Sequence, residues 1–186
     1  KAPPPPGSLQ TIWGDDNRFI NTYFFKNNTS YFYKTFDFAE IDNEGYYYML
    51  GRTDDVINVA GHRIGTREIE EALQLHEIVA ETAVIGVQDK IKGQVPFAFI
   101  VKKEMIDLSE NEHNILKEEL EALITEELGR FAKPSQMHFV PNLPKTRSGK
   151  LLRRALQAIC EGKHPGDLTT IEDNNVLEPI KKIFNS

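Results

Sequence analysis

Cysteine is nearly missing from these 186 residues: Cys160 stands alone. One thiol excludes an internal disulfide, and the composition suits the reducing cytoplasm. Long apolar runs are missing as well. None approaches the roughly 18 residues of a membrane span, and no charged start followed by an apolar core reads as a signal peptide. A soluble protein with no membrane partner is expected. An excess of positive charge is also absent, since 22 Lys and Arg against 28 Asp and Glu leave a formal net charge of −6. That balance argues against a general nucleic-acid surface, which is usually basic. Metal-ligand spacing is lacking: His62, His76, His113, His138 and His164 form no such pattern among themselves or with Cys160, so no protein-built metal site is expected. No initiating Met is present either. The chain opens at Lys1 and runs into Pro3 to Pro6, an extended polyproline stretch that reads as the interior of a longer protein.

What is present is ordinary in bulk and unusual in one place. Hydrophobic residues at 40% and charged residues at 27% suit a soluble globular chain, long enough for one domain or somewhat more. The unusual place is Leu143-Pro144-Lys145-Thr146-Arg147-Ser148-Gly149-Lys150-Leu151-Leu152-Arg153-Arg154. Leu151, Leu152, Leu156 and Ile159 recur at helical spacing, with Ser148 as the expected N-cap. Crowding Lys145, Arg147 and Lys150 at a helix N-terminus opposes the macrodipole, which an arriving anion would reverse. A solvated basic loop opening a surface helix is the plainer alternative. Ser148-Gly149-Lys150 is not a Walker loop, because the upstream glycine is missing and Leu151 holds the hydroxyl position.

Taken in order, Asp15-Asp16-Asn17 opens a short amphipathic helix through Phe19, Ile20, Tyr23 and Phe24. Tyr31 to Tyr33, Phe38 to Ile41 and Tyr46 to Leu50 read as antiparallel strands, the last two joined by the turn Asp42-Asn43-Glu44-Gly45. Arg52-Thr53-Asp54-Asp55 is a polar junction, which divides the chain into 1–53 and 54–186. Val56 to Val59 and His62 to Ile64 suggest strands around Ala60-Gly61, followed by a helix capped by Thr66. Strands are expected over Val79 to Val87, over Val95 to Val101 with Pro96 at an edge or near its start, and over Gln136 to Val140. Between the last two lies a helix opened by a Ser109/Glu112 capping box and ended by Gly129. A weak helix closes the chain at Val176 to Phe184. The fold class is therefore α+β: a small C-terminal domain with a central sheet, packed helices and a β-hairpin, preceded by antiparallel strands.

The basic stretch and Gly51-Arg52-Thr53-Asp54-Asp55-Val56-Ile57-Asn58-Val59-Ala60-Gly61-His62-Arg63-Ile64-Gly65-Thr66-Arg67-Glu68-Ile69-Glu70 together resemble the C-terminal part of the adenylate-forming acyl-CoA synthetases. Tyr33-Lys34-Thr35-Phe36-Asp37 and the tail from Ile159 to Thr170 are similar to the propionate-using branch. The resemblance implies that residues 1–53 are the trailing β-rich segment of a large N-terminal adenylation domain and 54–186 a mobile C-terminal domain. It implies propionate, ATP with Mg²⁺, and CoA as substrates, with the N-terminal domain as the partner within the same protein.

The same resemblance makes Lys150 the adenylation lysine, whose compact charge on a long stem can meet both carboxylate and α-phosphate. Asp37 matches the ribose-binding Asp, although a turn residue is the plain alternative. Arg52 and Arg63 match the residues that contact ribose and phosphates, where surface ion pairs are the ordinary fate of arginine. Asp54 matches the hinge position. Ala60 and Gly61 match a segment along the pantetheine tunnel, where Gly61 is equally readable as a hairpin glycine. Lys150 is also the family's target of acylation, which implies a lysine acyltransferase and a deacylase as partners. Thr125-Glu126-Glu127 stands where some acetate-using relatives carry an arginine for the CoA 3′-phosphate. The rivals are another short-chain acyl-CoA ligase, such as one acting on acetate, and a non-catalytic module binding anions or nucleic acid through the basic loop.

Overall fold

The computed structural model describes residues 7–103 and 109–184, so the proline run lies outside the described residues. The chain divides into two compact units, residues 1–54 and 55–186.

The first unit begins with α1 (Asp16–Tyr23), whose N-cap Asp15 accepts a hydrogen bond from the Arg18 amide at 2.9 Å. β1 (Phe24–Asn27) and β2 (Ser30–Tyr33) form one antiparallel pair, and β3 (Asp37–Ile41) and β4 (Tyr47–Arg52) another. Asp42 shapes the β3–β4 loop by accepting from the Glu44 and Tyr46 amides, both at 2.9 Å. β1 is an addition to the sequence reading, which carried Phe24 into the helix. Among the described side chains of this unit Phe19 alone is buried. Tyr23 and Phe24 pack on its ring and Tyr33 packs on theirs, with ring centroids 5.4–5.8 Å apart.

The second unit is built on a five-stranded sheet. Its elements are β5 (Val56–Val59), β6 (His62–Gly65), α2 (Thr66–Gln74), β7 (Val79–Asp89), β8 (Gly93–Lys102), α3 (Glu110–Leu128), β9 (Gln136–Phe139), α4 (Arg153–Cys160) and α5 (Leu177–Phe184). The path is β6-β5-β8-β7, and β9 lies parallel to β8. Side chains alternate across a strand, and here both faces are covered. Val84, Ala98 and Ile100 join Leu73, Leu116, Leu120 and Ile124 beneath α2 and α3. Ala83, Ile85, Phe97 and Phe99 join Leu156, Ile159, Leu177 and Ile180 beneath α4 and α5. Two-sided burial explains why β7 and β8 read as nearly continuous apolar runs.

Two expectations are corrected in detail, and for Pro96 one of two alternatives is selected. Gly65, not Thr66, caps α2, donating its amide to Glu68 Oε1 at 2.8 Å, while Thr66 is the first helical residue and is buried. Pro96 lies near the start of β8 but is fully buried between neighbouring strands instead of at an edge. It is tolerated because β9 begins opposite Phe97, so the missing amide faces the end of a neighbour, and the Pro96 carbonyl accepts from the Ser135 amide at 2.8 Å. The helix expected from Leu151 begins at Arg153 with Leu152 as its cap. No helix among the described residues is long and apolar enough to cross a membrane.

Candidate functional site

Residues 145–151 form a closed turn ahead of α4. Lys145 pairs with Leu151 across an isolated antiparallel bridge, and the Thr146 amide donates to the Lys150 carbonyl at 2.8 Å. Gly149, at φ 82°, lets the chain reverse so that its amide reaches the Thr146 carbonyl at 2.8 Å. Thr146 ties the interior together, its hydroxyl accepting from the Lys150 amide at 3.1 Å and lying 3.0 Å from the Ser148 hydroxyl. Ser148 is therefore part of the turn and caps no helix, which corrects the sequence expectation. Physically, the turn satisfies these amides locally, so the basic residues precede the helix instead of crowding its N-terminus.

The three cations of the turn have different circumstances. Lys145 is held by Glu81, with Nζ 2.6 and 2.7 Å from the carboxylate oxygens. Arg147 and Lys150 are exposed at the turn's tip, and the Lys150 ammonium has no partner among the described residues. A well-tied backbone thus presents an unpaired cation on a flexible stem.

Ala60, Gly61 and Arg63 share the β5–β6 hairpin, where Val59 pairs with His62. Ala60 at φ 51° and Gly61 at φ 92° make the two-residue turn with both central residues left-handed that suits tight hairpins. Space beside Gly61 is open, because nothing lies within 4 Å of where a Cβ would stand. His62 stacks on Phe131 with ring centroids 4.8 Å apart. In the first unit, Asp37 and Arg52 are brought together across β3–β4, with 3.5 Å between guanidinium and carboxylate. Arg52 also donates to the Thr35 carbonyl at 3.0 Å and lies over the Phe36 ring. Asp54 is the last residue of that unit, and its side chain lies outside the described residues.

The chain is 52% identical, over 98% of its length, to propionate–CoA ligase from Salmonella typhimurium. It is 46% identical over 97% of its length to acetyl-coenzyme A synthetase from Pyrobaculum arsenaticum. It spans 29% and 26% of those proteins, less than a third of each. Among solved structures, the ATP-bound RpMatB-BxBclM chimera B1 superposes with a TM-score of 0.66 at 30% identity, covering 80% of this chain and 28% of that one. Residues 68–150 match the AMP-binding enzyme C-terminal domain. The chain carries that domain. In this AMP-binding enzyme C-terminal domain the matched region ends at Lys150, the exposed lysine of the turn.

Sequence reasoning missed the feature that fastens α4 to the rest of the unit. Glu70 on α2 is buried, with 7% exposure, and receives both 2.7 and 2.8 Å contacts from Arg153 Nη2 as well as the Val84 amide at 2.8 Å. Arg153 also lies 3.9 Å from Asp55. Burial pushes the Glu70 carboxyl above its ordinary range while the guanidinium pulls against it. Both residues stood inside the two conspicuous stretches, but 83 positions apart, and no local pattern joins them. Cys160 is inert, its thiol pushed up to about 12 by burial and the nearby Glu161 charge. Among the described residues no three His, Cys, Asp or Glu side chains gather to hold a metal ion.

Proposed function

We propose that this chain is the C-terminal part of a cytoplasmic propionate–CoA ligase. The whole enzyme joins propionate to ATP, releasing pyrophosphate, and then passes the propionyl group of propionyl-AMP to the thiol of CoA, releasing AMP. The observation that carries this reading is the identity of 52% to a propionate–CoA ligase across 98% of the chain. The lower figure of 46% for an acetyl-coenzyme A synthetase makes acetate the competing substrate.

The residues fit this chemistry. Adenylation brings carboxylate and ATP together while charge builds on the α-phosphate, so an unpaired cation that meets both acts most strongly in the transition state. Lys150 is that cation. Asp37 accepts hydrogen bonds from the ribose hydroxyls, and Arg52, which faces Asp37 across β3–β4, and Arg63 offer their guanidinium groups to the ribose and phosphates. Mg²⁺ arrives with ATP. Asp54 is the hinge, about which residues 55–186 turn so that the Ala60-Gly61 turn lies along the pantetheine arm in the second step. The exposed face of the first unit, where Tyr47 is 69% and Met49 60% accessible, is the surface that the remainder of an N-terminal domain covers. Exposure of Lys150 also suits an acyltransferase and a deacylase, since acylation removes the charge the first step needs.

Half-reactions test the assignment. Lys150→Ala in the full-length enzyme should lower propionyl-AMP formation by roughly 100-fold or more, while thioester formation from supplied propionyl-AMP and CoA persists. The converse variant must avoid Gly61, because φ 92° makes any larger residue strained whatever its bulk. Ala60→Asn is suitable, since Asn tolerates the left-handed region. It should keep stability and adenylation while slowing thioester formation. Equal loss of both half-reactions in both folded variants refutes these roles, and a higher kcat/KM for acetate than for propionate refutes the substrate.

A further inference from the structure

The turn that carries Lys150 is not complete in itself. Its first limb, Lys145 to Arg147, pairs on one side with Lys150 and Leu151. On its other side it pairs with residues far along the chain: the Arg147 amide donates to the Thr170 carbonyl at 3.1 Å, and the Glu172 amide donates to the Lys145 carbonyl at 2.9 Å. Thr146 and Ile171 form the antiparallel bridge between them. The limb carrying Thr146, which holds the Lys150 amide through its hydroxyl, is thus the middle strand of a miniature three-stranded array.

The flanking segment is itself anchored. Ile171, 4% exposed, sits in the core with Leu143, Leu156, Leu177 and Ile180. Before it, the Asp167 carboxylate accepts from the Thr169 amide at 2.9 Å and the Leu168 carbonyl from the Ile171 amide at 3.0 Å. After it, Asp173 accepts from the Asn175 amide at 2.9 Å and starts the turn into α5. These residues lie beyond the 68–150 span of the family match.

We propose that residues 168–172 are a positioning strand for Lys150, resting on the reading of Lys150 as the adenylation cation. None of them touches substrate. They act by fixing the backbone from which a long, flexible side chain must reach its target. Catalytic groups displaced by about 1 Å can lose on the order of 100-fold in rate. Without this pairing, the Lys145 carbonyl and Arg147 amide return to water and the middle limb loses its register, while Ile171 keeps its place in the core.

Glu172→Pro in the full-length enzyme deletes the one amide that reaches Lys145, at an exposed position following a residue already in extended pairing. The expected result is a fall in propionyl-AMP formation of about 10-fold to 100-fold. Conversion of supplied propionyl-AMP should stay within about twofold, and the cooperative melt should be retained. Ile171→Val, which keeps the anchor, should behave as the parent. Equal loss of both half-reactions in the folded variant, or an unchanged adenylation rate, overturns the proposal. Amide exchange in the parent supplies a test that needs no variant: the Arg147 and Glu172 amides should be protected, and rapid exchange at both overturns it. Lys150→Ala separates the two readings. If that variant adenylates normally, the role of Lys150 fails; if it does not and Glu172→Pro does, only the strand fails.

Discussion

Glu70 illustrates how a single carboxylate sets the position of a helix. Its bidentate hold on Arg153 joins α2 to the first turn of α4, and the Val84 amide ties both to β7. Glu70→Ala leaves the partly buried Arg153 guanidinium with only the more distant Asp55 carboxylate, at 3.9 Å, and by the usual cost of breaking such pairs should destabilise the folded protein by about 3 kcal/mol, measured by urea denaturation. Replacing both residues with apolar ones should cost less. The pH dependence has an uncommon sign. Because burial raises this carboxyl above its ordinary 4.5, the folded state binds the proton more tightly than the unfolded chain, so the group's contribution falls as pH rises from 4.5 through its folded value. Lys150, Asp37 and Arg52 each stand in a long local motif, which is why the sequence singles them out. Glu70 and Arg153 were not recognisable as a pair, since spacing along a chain says nothing about which two of its many charges will share a buried site.

Elements were most legible where their ends carry their own chemistry. α3 is bounded by Ser109 and Gly129, and the structure contains both halves of the capping box: the Ser109 amide donates to Glu112 at 2.8 Å and the Glu112 amide to the Ser109 hydroxyl at 3.4 Å. Ser109→Ala should cost about 1 kcal/mol in chemical denaturation. These bonds from Ser109 hold the Glu112 carboxyl below its ordinary 4.5, so its contribution is present above that value and is lost as pH falls through the folded one. An acid titration of parent against Glu112→Gln should therefore show the difference disappearing at low pH. A difference that persists unchanged there would contradict the capping role. Where ends lack such signals the sequence reading slipped. β1 was absorbed into α1 because Phe24 continues the apolar spacing, and it is a strand only because β2 pairs with it. α4 was started early because Leu151 and Leu152 fit the helical period, yet Leu151 pairs with Lys145 instead. Tertiary pairing overrides local period in both cases.

At the scale of the whole molecule the two units differ in kind. The second has cores on both faces of its sheet, whereas the first shows one buried described side chain and a broad aromatic surface. The α+β class followed from element order. The chain spans 29% of the propionate–CoA ligase it matches, and by itself it should show no carboxylate-dependent exchange of pyrophosphate into ATP. Measurable exchange by the purified chain would overturn the division of labour assigned to its residues. A last consequence concerns the order in which the protein is made. Synthesis proceeds from the N-terminus and structure forms behind it, so the Lys150 turn emerges before Thr170 and Glu172, whose backbone groups pair with it. A nascent chain halted between Leu152 and Leu168 carries every letter of the lysine motif with two of its backbone groups still facing water. Such a product would be unfinished at the site although finished in the motif, and only the emergence of residues 170–172 closes it.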